Sequence, residues 1–309
     1  DAYPAENMKI VSEINISGVR NIFVNKDKLI VFSSTYSRYD TGIRCIRAPC
    51  PSYKSENLVN VEVYNIKDRT APKLEQNISI EGNYNDARMI GDYVYLISTK
   101  NAYADEPEPP IYIMNGVRKQ VSAEEVYYFD YPDTSYVFST ITALNIESGD
   151  TNNKVYLTGY TGTLYVSENN IYLTYQKRIS QNDYFTKVTE EVFLPLLSGE
   201  EKTKAQVVLD SDKQGYEKYN KISSIVQDYS SNLTGVDKED FDKKLMERMK
   251  NFESKIQKER ELTAINKISI DKLDVKHKAA GQVPGHVLNQ FSMDEYNGNF
   301  RIATTTGQV

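Results

Sequence analysis

The 309-residue chain is 39% hydrophobic and 26% charged, with a formal net charge of -6. Such a balance is that of a globular protein, and the acidic surplus argues against a nucleic-acid partner, which would need clustered Lys and Arg to neutralise phosphate. No run approaches the ~20 apolar residues of a membrane span, and 24 Tyr against 10 Phe and no Trp favour half-exposed β surfaces, where a ring packs while its hydroxyl stays wet.

The chain opens at Asp1-Ala-Tyr-Pro without a signal-peptide apolar region, an opening compatible with a leader already removed. Beyond it, a polar tight turn launching a β-rich strand recurs four times. The copies are Asn25-Lys-Asp-Lys-Leu-Ile-Val-Phe-Ser33, Ile90-Gly-Asp-Tyr-Val-Tyr-Leu-Ile-Ser98, Ser167-Glu-Asn-Asn-Ile-Tyr-Leu-Thr-Tyr175 and Asp294-Glu-Tyr-Asn-Gly-Asn-Phe-Arg-Ile-Ala-Thr304. Recurrence of one such unit marks a repeat architecture.

Around each turn the order reads strand a, turn, strand b, excursion, strand c, turn, strand d. Residues 1–18 end a preceding repeat with a d strand over 8–16. Repeat 19–81 has strands over 19–24, 29–34, 59–66 and 74–80; repeat 82–158 has them over 87–90, 93–98, 140–146 and 154–158. Repeat 159–280 places them over 163–166, 171–175, 263–270 and 275–280, and 281–309 begins a further repeat with 288–293 and 300–304. Equivalent b strands lie 65, 77 and 129 positions apart, yet the excess falls entirely within 35–58, 99–139 and 176–262. Removing those excursions leaves close to the ~40–45 residues of one four-stranded propeller blade.

The excursions differ in kind. The first, 35–58, contains Gly-Ile-Arg-Cys-Ile-Arg-Ala-Pro-Cys-Pro, where Cys45 and Cys50 are read as a short local disulfide and hence a sign of an oxidising compartment. Two unpaired thiols in a reduced protein are the alternative, and metal binding is weaker with no nearby His. Sequons at Asn15, Asn77 and Asn232 are compatible with secretion but arise often by chance. The second excursion, 99–139, is rich in Pro, Tyr and acidic residues and reads as an extended loop with local turns. In the third, Tyr216, Tyr219, Ile222, Val226 and Tyr229, then Phe241, Leu245, Met249, Phe252 and Ile256, recur at helical spacing. They predict two helices joined at 231–237 into a hairpin, the second capped by Asp237 with Asp240, and stripes that pack on each other and on adjacent sheets.

Because every connection in an antiparallel sheet reverses the chain, the b-to-c and d-to-a links share one face. That face is the binding candidate, since function concentrates on loops held by a rigid scaffold. It receives Tyr84, Tyr160 and His286 from the d-to-a links, and Asp130, Tyr131 and Asp133 from an acidic and aromatic stretch able to hold a peptide, sugar or cation. His277, in Val-Lys-His-Lys, reads as solvent-facing. Asp294, Glu295, Asn297 and Asn299 have calcium-ligand chemistry, but the Asn-Gly pair among them is what a tight hairpin demands.

The run Gly281-Gln-Val-Pro-Gly-His-Val-Leu-Asn-Gln-Phe-Ser-Met-Asp-Glu-Tyr-Asn-Gly-Asn-Phe-Arg-Ile-Ala-Thr-Thr-Thr-Gly307 carries a more specific likeness. With Asp1-Ala-Tyr-Pro-Ala-Glu-Asn-Met8, Ala87-Arg-Met-Ile-Gly-Asp-Tyr-Val-Tyr-Leu-Ile97 and Tyr127-Tyr-Phe-Asp-Tyr-Pro-Asp-Thr-Ser135, it resembles the secreted archaeal and bacterial β-propeller proteins distantly related to WD repeats. The resemblance implies a propeller and an extracellular or cell-surface location, and brings no established reaction or catalytic residues. Members are longer, so the chain looks like an internal piece of a larger propeller or an unusually short ring.

The expected fold is therefore all-β with a helical insertion: about four WD-like blades of a larger propeller, with an α-helical hairpin between strands b and c of one blade. The absence of Trp counts against a sialidase-type box and a quinone-cofactor motif, a multi-histidine metal site cannot be built from His277 and His286 alone, and no catalytic residue, metal or cofactor is assigned. The leading functional expectation is an interaction scaffold for a protein or glycan partner. A hydrolase or lyase with a pocket at the propeller axis, and a structural surface component, are the alternatives.

Overall fold

The computed structural model of the protein describes residues 4–40, 53–103, 107–129, 135–160 and 162–307. They divide into two compact units, the first drawn from Asp1–Tyr131, Ser135–Leu173 and Asn266–Ala280, the second chiefly from Thr174–Ile265 and Gly281–Val309.

The first unit is built of sheets. Strands β1 (Val19–Asn25), β2 (Lys28–Asp40), β3 (Tyr53–Asn65) and β4 (Lys73–Glu81) pair in sequence order, each antiparallel to the last. Strands β5 (Asn83–Ile90) and β6 (Tyr93–Ala102) open a second sheet. The chain then makes the hairpin β7 (Ile111–Met114) and β8 (Val117–Gln120), which extends the first sheet beyond β4. Next, β9 (Val126–Tyr128) precedes β10 (Tyr136–Asn145) and β11 (Thr151–Gly159), and the second sheet is ordered β5-β6-β10-β11-β9. A third sheet runs β12 (Thr163–Val166), β13 (Asn170–Gln176), β14 (Leu262–Asp271) and β15 (Asp274–Pro284).

Alternation decides which side chains meet. Ile30, Phe32, Val59, Val61, Ile78 and Ile80 of the first sheet close on Ala87, Val94 and Leu96 of the second. The opposite face of the second sheet carries Tyr95, Ile97, Ile141 and Ala143 onto Ile171, Leu173, Ile268 and Ile270. The second sheet is thus covered on both faces, which is why β10 is buried along nearly its whole length, and β6 over 94–98, instead of alternating. Each fully buried Ile, Leu or Val contributes about 1.5–3 kcal/mol of transfer free energy.

Short turns start in the left-handed region where local chemistry allows it: Lys26 at φ 53°, Gly91 at 58° and Lys272 at 55°. The turn after β1 is tied to the turn after β5, where Asn25 Nδ2 donates to Asp92 Oδ1 at 2.9 Å and Lys26 Nζ pairs with the same oxygen at 2.9 Å.

Two sequence expectations change here. Residues 8–16 form no strand, and Met8 and Ile10 stand 63% and 87% exposed; an alternating pattern becomes a strand only when an edge accepts it. Residues 111–128 are a hairpin, a 3-10 turn and a short strand, not an extended loop. Asn115-Gly116 at φ 51° and 80° closes the hairpin, and a Ser122–Glu125 capping box sets the 3-10 turn before β9. The Cys45–Cys50 pairing lies outside the described residues.

In the second unit, the chain between β13 and β14 holds four α-helices: α1 (Gln181–Val188), α2 (Gly199–Leu209), α3 (Gly215–Ser231) and α4 (Gly235–Arg260). The stripes of α3 and α4 enter a core in which Ile222, Val226, Phe241, Phe252 and Ile256 join Val188, Val192, Phe193 and Ala205. Sequence periodicity missed α1 and α2 because they are short, eight and eleven residues, with one fully buried side chain each, Val188 and Ala205. Thr234, not Asp237, occupies the N-cap of α4; Asp237 lies in its first turn with Lys258 and Arg260 in its last, in accord with the helix dipole. The same unit ends in the hairpin β16 (Met293–Tyr296) and β17 (Asn299–Ile302). Asn297 and Gly298, at φ 49° and 75°, form its turn, and Asp294 faces Arg301 across the pair in an ion pair. That arrangement accounts for the oxygen-rich cluster through turn and pairing.

Candidate binding cleft

Antiparallel register brings the end of β2, the start of β3, the end of β4, the start of β5 and the end of β6 to one end of the first two sheets. The pairs Tyr36 with Asn57, Leu58 with Glu81, and Asn83 with Thr99 define that end. A cleft of about 280 Å³ opens there. Ser55, Glu56 and Asn57 line it from β3, Glu81, Gly82 and Asn83 from the β4–β5 junction, and Lys100, Asn101, Tyr103 and Glu108 from the end of β6 and the chain after it.

Gly82 makes the close approach of these strands possible. Its φ is 136°, its N–H donates to the Asn57 carbonyl at 2.8 Å, and a Cβ there would lie 2.7 Å from the Thr99 carbonyl oxygen. The same device recurs at Gly18 beside Ser34 (φ 67°) and at Gly285 beside Thr305 (φ 87°).

Two of the cleft's three carboxylates are neutralised in place. Glu81, its side chain 10% exposed, accepts from Lys100 Nζ at 2.8 Å and from the Ile111 N–H at 3.2 Å. Glu56, its side chain only 2% exposed, forms an ion pair with Arg118 from β8. Burial of a carboxylate this deep requires such a partner, so the β7–β8 hairpin is part of the cleft's electrostatics although it lies outside the lining. At the rim, Asn57 Nδ2 donates to Asn83 Oδ1 at 3.2 Å, and the Tyr103 ring stands 70% exposed. The surface is polar, two of its three carboxylates are ion-paired, and Tyr103 adds an exposed aromatic ring.

The residues singled out from sequence fall elsewhere. Tyr84 packs toward the core, its hydroxyl accepting from Asn21 Nδ2 at 3.0 Å and its ring 6.0 Å from that of Phe32. Burial pushes its phenol above the usual range, while the Asn21 hydrogen bond opposes that shift. Tyr160 is 60% exposed just past β11, and His286 is held by reciprocal backbone hydrogen bonds with Thr305 at 2.9 and 3.0 Å. None of the three lines the cleft. Asp130, Tyr131 and Asp133 lie outside the described residues. His277 is exposed, with its ring centroid 4.7 Å from that of Phe129. Sequence reasoning missed Glu56, Glu81, Lys100 and Arg118, although Gly82 between two strand patterns signalled a close backbone approach.

Among the described residues no group of three His, Cys, Asp or Glu side chains is placed to hold a metal ion, and no helix is long and apolar enough to cross a membrane.

Comparison with known proteins places the chain. A family model described as a beta propeller domain matches residues 1–309. An uncharacterized protein of Methanocaldococcus jannaschii is 33% identical over 251 residues, covering 79% of this chain and 39% of that protein. An uncharacterized protein of Archaeoglobus fulgidus is 26% identical over 311 residues, covering 98% of this chain and 44% of that protein. The chain thus spans less than half the length of these relatives. No solved structure matches it significantly.

Proposed function

This chain belongs to the beta propeller domain family, and from that premise we propose that it is an interaction scaffold presenting one face to a protein or glycan partner at the cell surface. On this reading 19–81, 82–158 and 159–280 are successive blades of a secreted, WD-like propeller larger than this chain, with 1–18 and 281–309 belonging to the blades on either side. The helices are then an insertion between strands b and c of one blade.

The observation that carries the proposal is the cleft at the ends of β2 to β6. It lies where the excursions leave the first two sheets, and its polar lining is preorganised by two ion pairs anchored in paired strands.

The test is a binding screen of the full chain on printed glycan and peptide arrays, repeated with Asn57→Lys/Asn101→Lys at the cleft and Asp27→Lys at the opposite strand ends. The cleft variant loses the signal and the Asp27 variant keeps it. Loss in the Asp27 variant alone, or no loss in either, overturns the reading.

A further inference from the structure

Resting on that reading of the cleft, we infer that its ligand is a neutral carbohydrate, held through vicinal hydroxyls at Asn57, Asn83 and Lys100 with one face of a sugar ring against Tyr103.

Charge narrows the choice. Two of the cleft's three carboxylates are matched, Glu81 by Lys100 and Glu56 by Arg118, so an ionic ligand at either would have to displace a partner from a largely buried group. Breaking such a pair strands a charge out of water, a cost that a neutral ligand avoids.

Hydrogen-bond geometry narrows it further. The Asn57 to Asn83 bond at 3.2 Å uses one amide hydrogen and one amide oxygen, leaving Asn57 Oδ1 as acceptor beside Asn83 Nδ2 as donor. A pair of adjacent hydroxyls presents the complementary donor and acceptor. Lys100 Nζ, committed to Glu81 at 2.8 Å and more distantly to the Pro109 carbonyl at 3.5 Å, retains a hydrogen for a third oxygen.

Size narrows it last. A volume of about 280 Å³ is that of a small-ligand pocket rather than a protein docking surface. The exposed Tyr103 ring supplies the apolar platform that the C–H face of a sugar can cover while its hydroxyls bond elsewhere.

The deciding experiment prints neutral oligosaccharides, charged oligosaccharides and short peptides as separate arrays and probes each with the full chain and four variants. Dense printing compensates for weak single-site affinity. Wild type is expected to bind neutral oligosaccharides. Tyr103→Ala should weaken that binding about tenfold, the upper range for a lost ring contact. Asn83→Asp, which removes the donor without changing shape, should abolish selectivity for adjacent hydroxyls. Tyr103→Phe, which keeps the ring, and Tyr128→Ala, outside the cleft, should bind as wild type does. Binding confined to peptides or charged glycans, and lost in the same cleft variants, overturns the carbohydrate assignment while leaving the scaffold reading intact. Binding indifferent to Tyr103 and Asn83, lost through Tyr128, or absent from all arrays overturns both.

Discussion

Gly82 occupies a backbone conformation, φ 136°, that side chains with a Cβ rarely adopt, and the Thr99 carbonyl oxygen lies 2.7 Å from where that carbon would be. Gly82→Ala is expected to destabilise the fold by about 1–3 kcal/mol, combining backbone strain with the forced shift of β6. Gly91, at φ 58° with open space around it, supplies the control: Gly91→Ala carries conformational strain alone, about 1 kcal/mol. Chemical denaturation of both variants measures the difference; equal losses would show that the Thr99 contact does not matter. The recurrence at Gly18 and Gly285 shows that a single residue type can mark a structural position that periodicity overlooks. A glycine between two alternating runs was visible in the sequence, but which carbonyl it approaches was not.

At the scale of elements, the β7–β8 hairpin has two roles: it extends the first sheet past β4 and delivers Arg118 to the buried Glu56. Because Arg118 is itself 41% exposed, its loss costs less than breaking a fully buried pair. Arg118→Ala should therefore destabilise by about 1–3 kcal/mol, the cost of an unsatisfied buried acceptor. Adding Glu56→Gln removes the stranded charge, and a double-mutant cycle should show recovery of part of that loss. Additive losses would mean that the pair is not coupled. The hairpin was legible from Asn115-Gly116 between Ile-Tyr-Ile-Met and Val-Arg-Lys-Gln, a turn signal obscured by the prolines and acidic residues before it. Helices α3 and α4 announced themselves through long apolar stripes, whereas α1 and α2 depend on Val188 and Ala205 entering a core assembled from distant segments.

Across the whole molecule, abundant tyrosine has a measurable consequence. Tyr64, Tyr95 and Tyr184 are each pushed up to about 12 from an ordinary value of 10.0, first by burial and then by Glu62, Asp271 and Glu253 respectively. A phenol with a raised folded-state pKa contributes stability that is fully present below pH 10.0 and lost as pH climbs through about 12. Absorbance titration should therefore resolve a late-ionising group of tyrosines, with denaturation midpoints falling over that window. Uniform ionisation near 10.0 would contradict the packing described for these rings.

The sequence by itself determined where the principal strands and turns of the first three sheets lie and which strand ends carry the long excursions, because two-residue alternation and turn chemistry act within a few neighbouring residues. It could not make residues 8–16 a strand, since pairing requires an edge that local pattern does not provide. Only the tertiary structure decided that the second sheet is buried on both faces, that four helices share a core, and that a cleft forms around Glu56, Glu81 and Lys100. Those features depend on contacts such as Glu56 with Arg118, 62 positions apart, and a charge can be buried only where folding has already brought its partner.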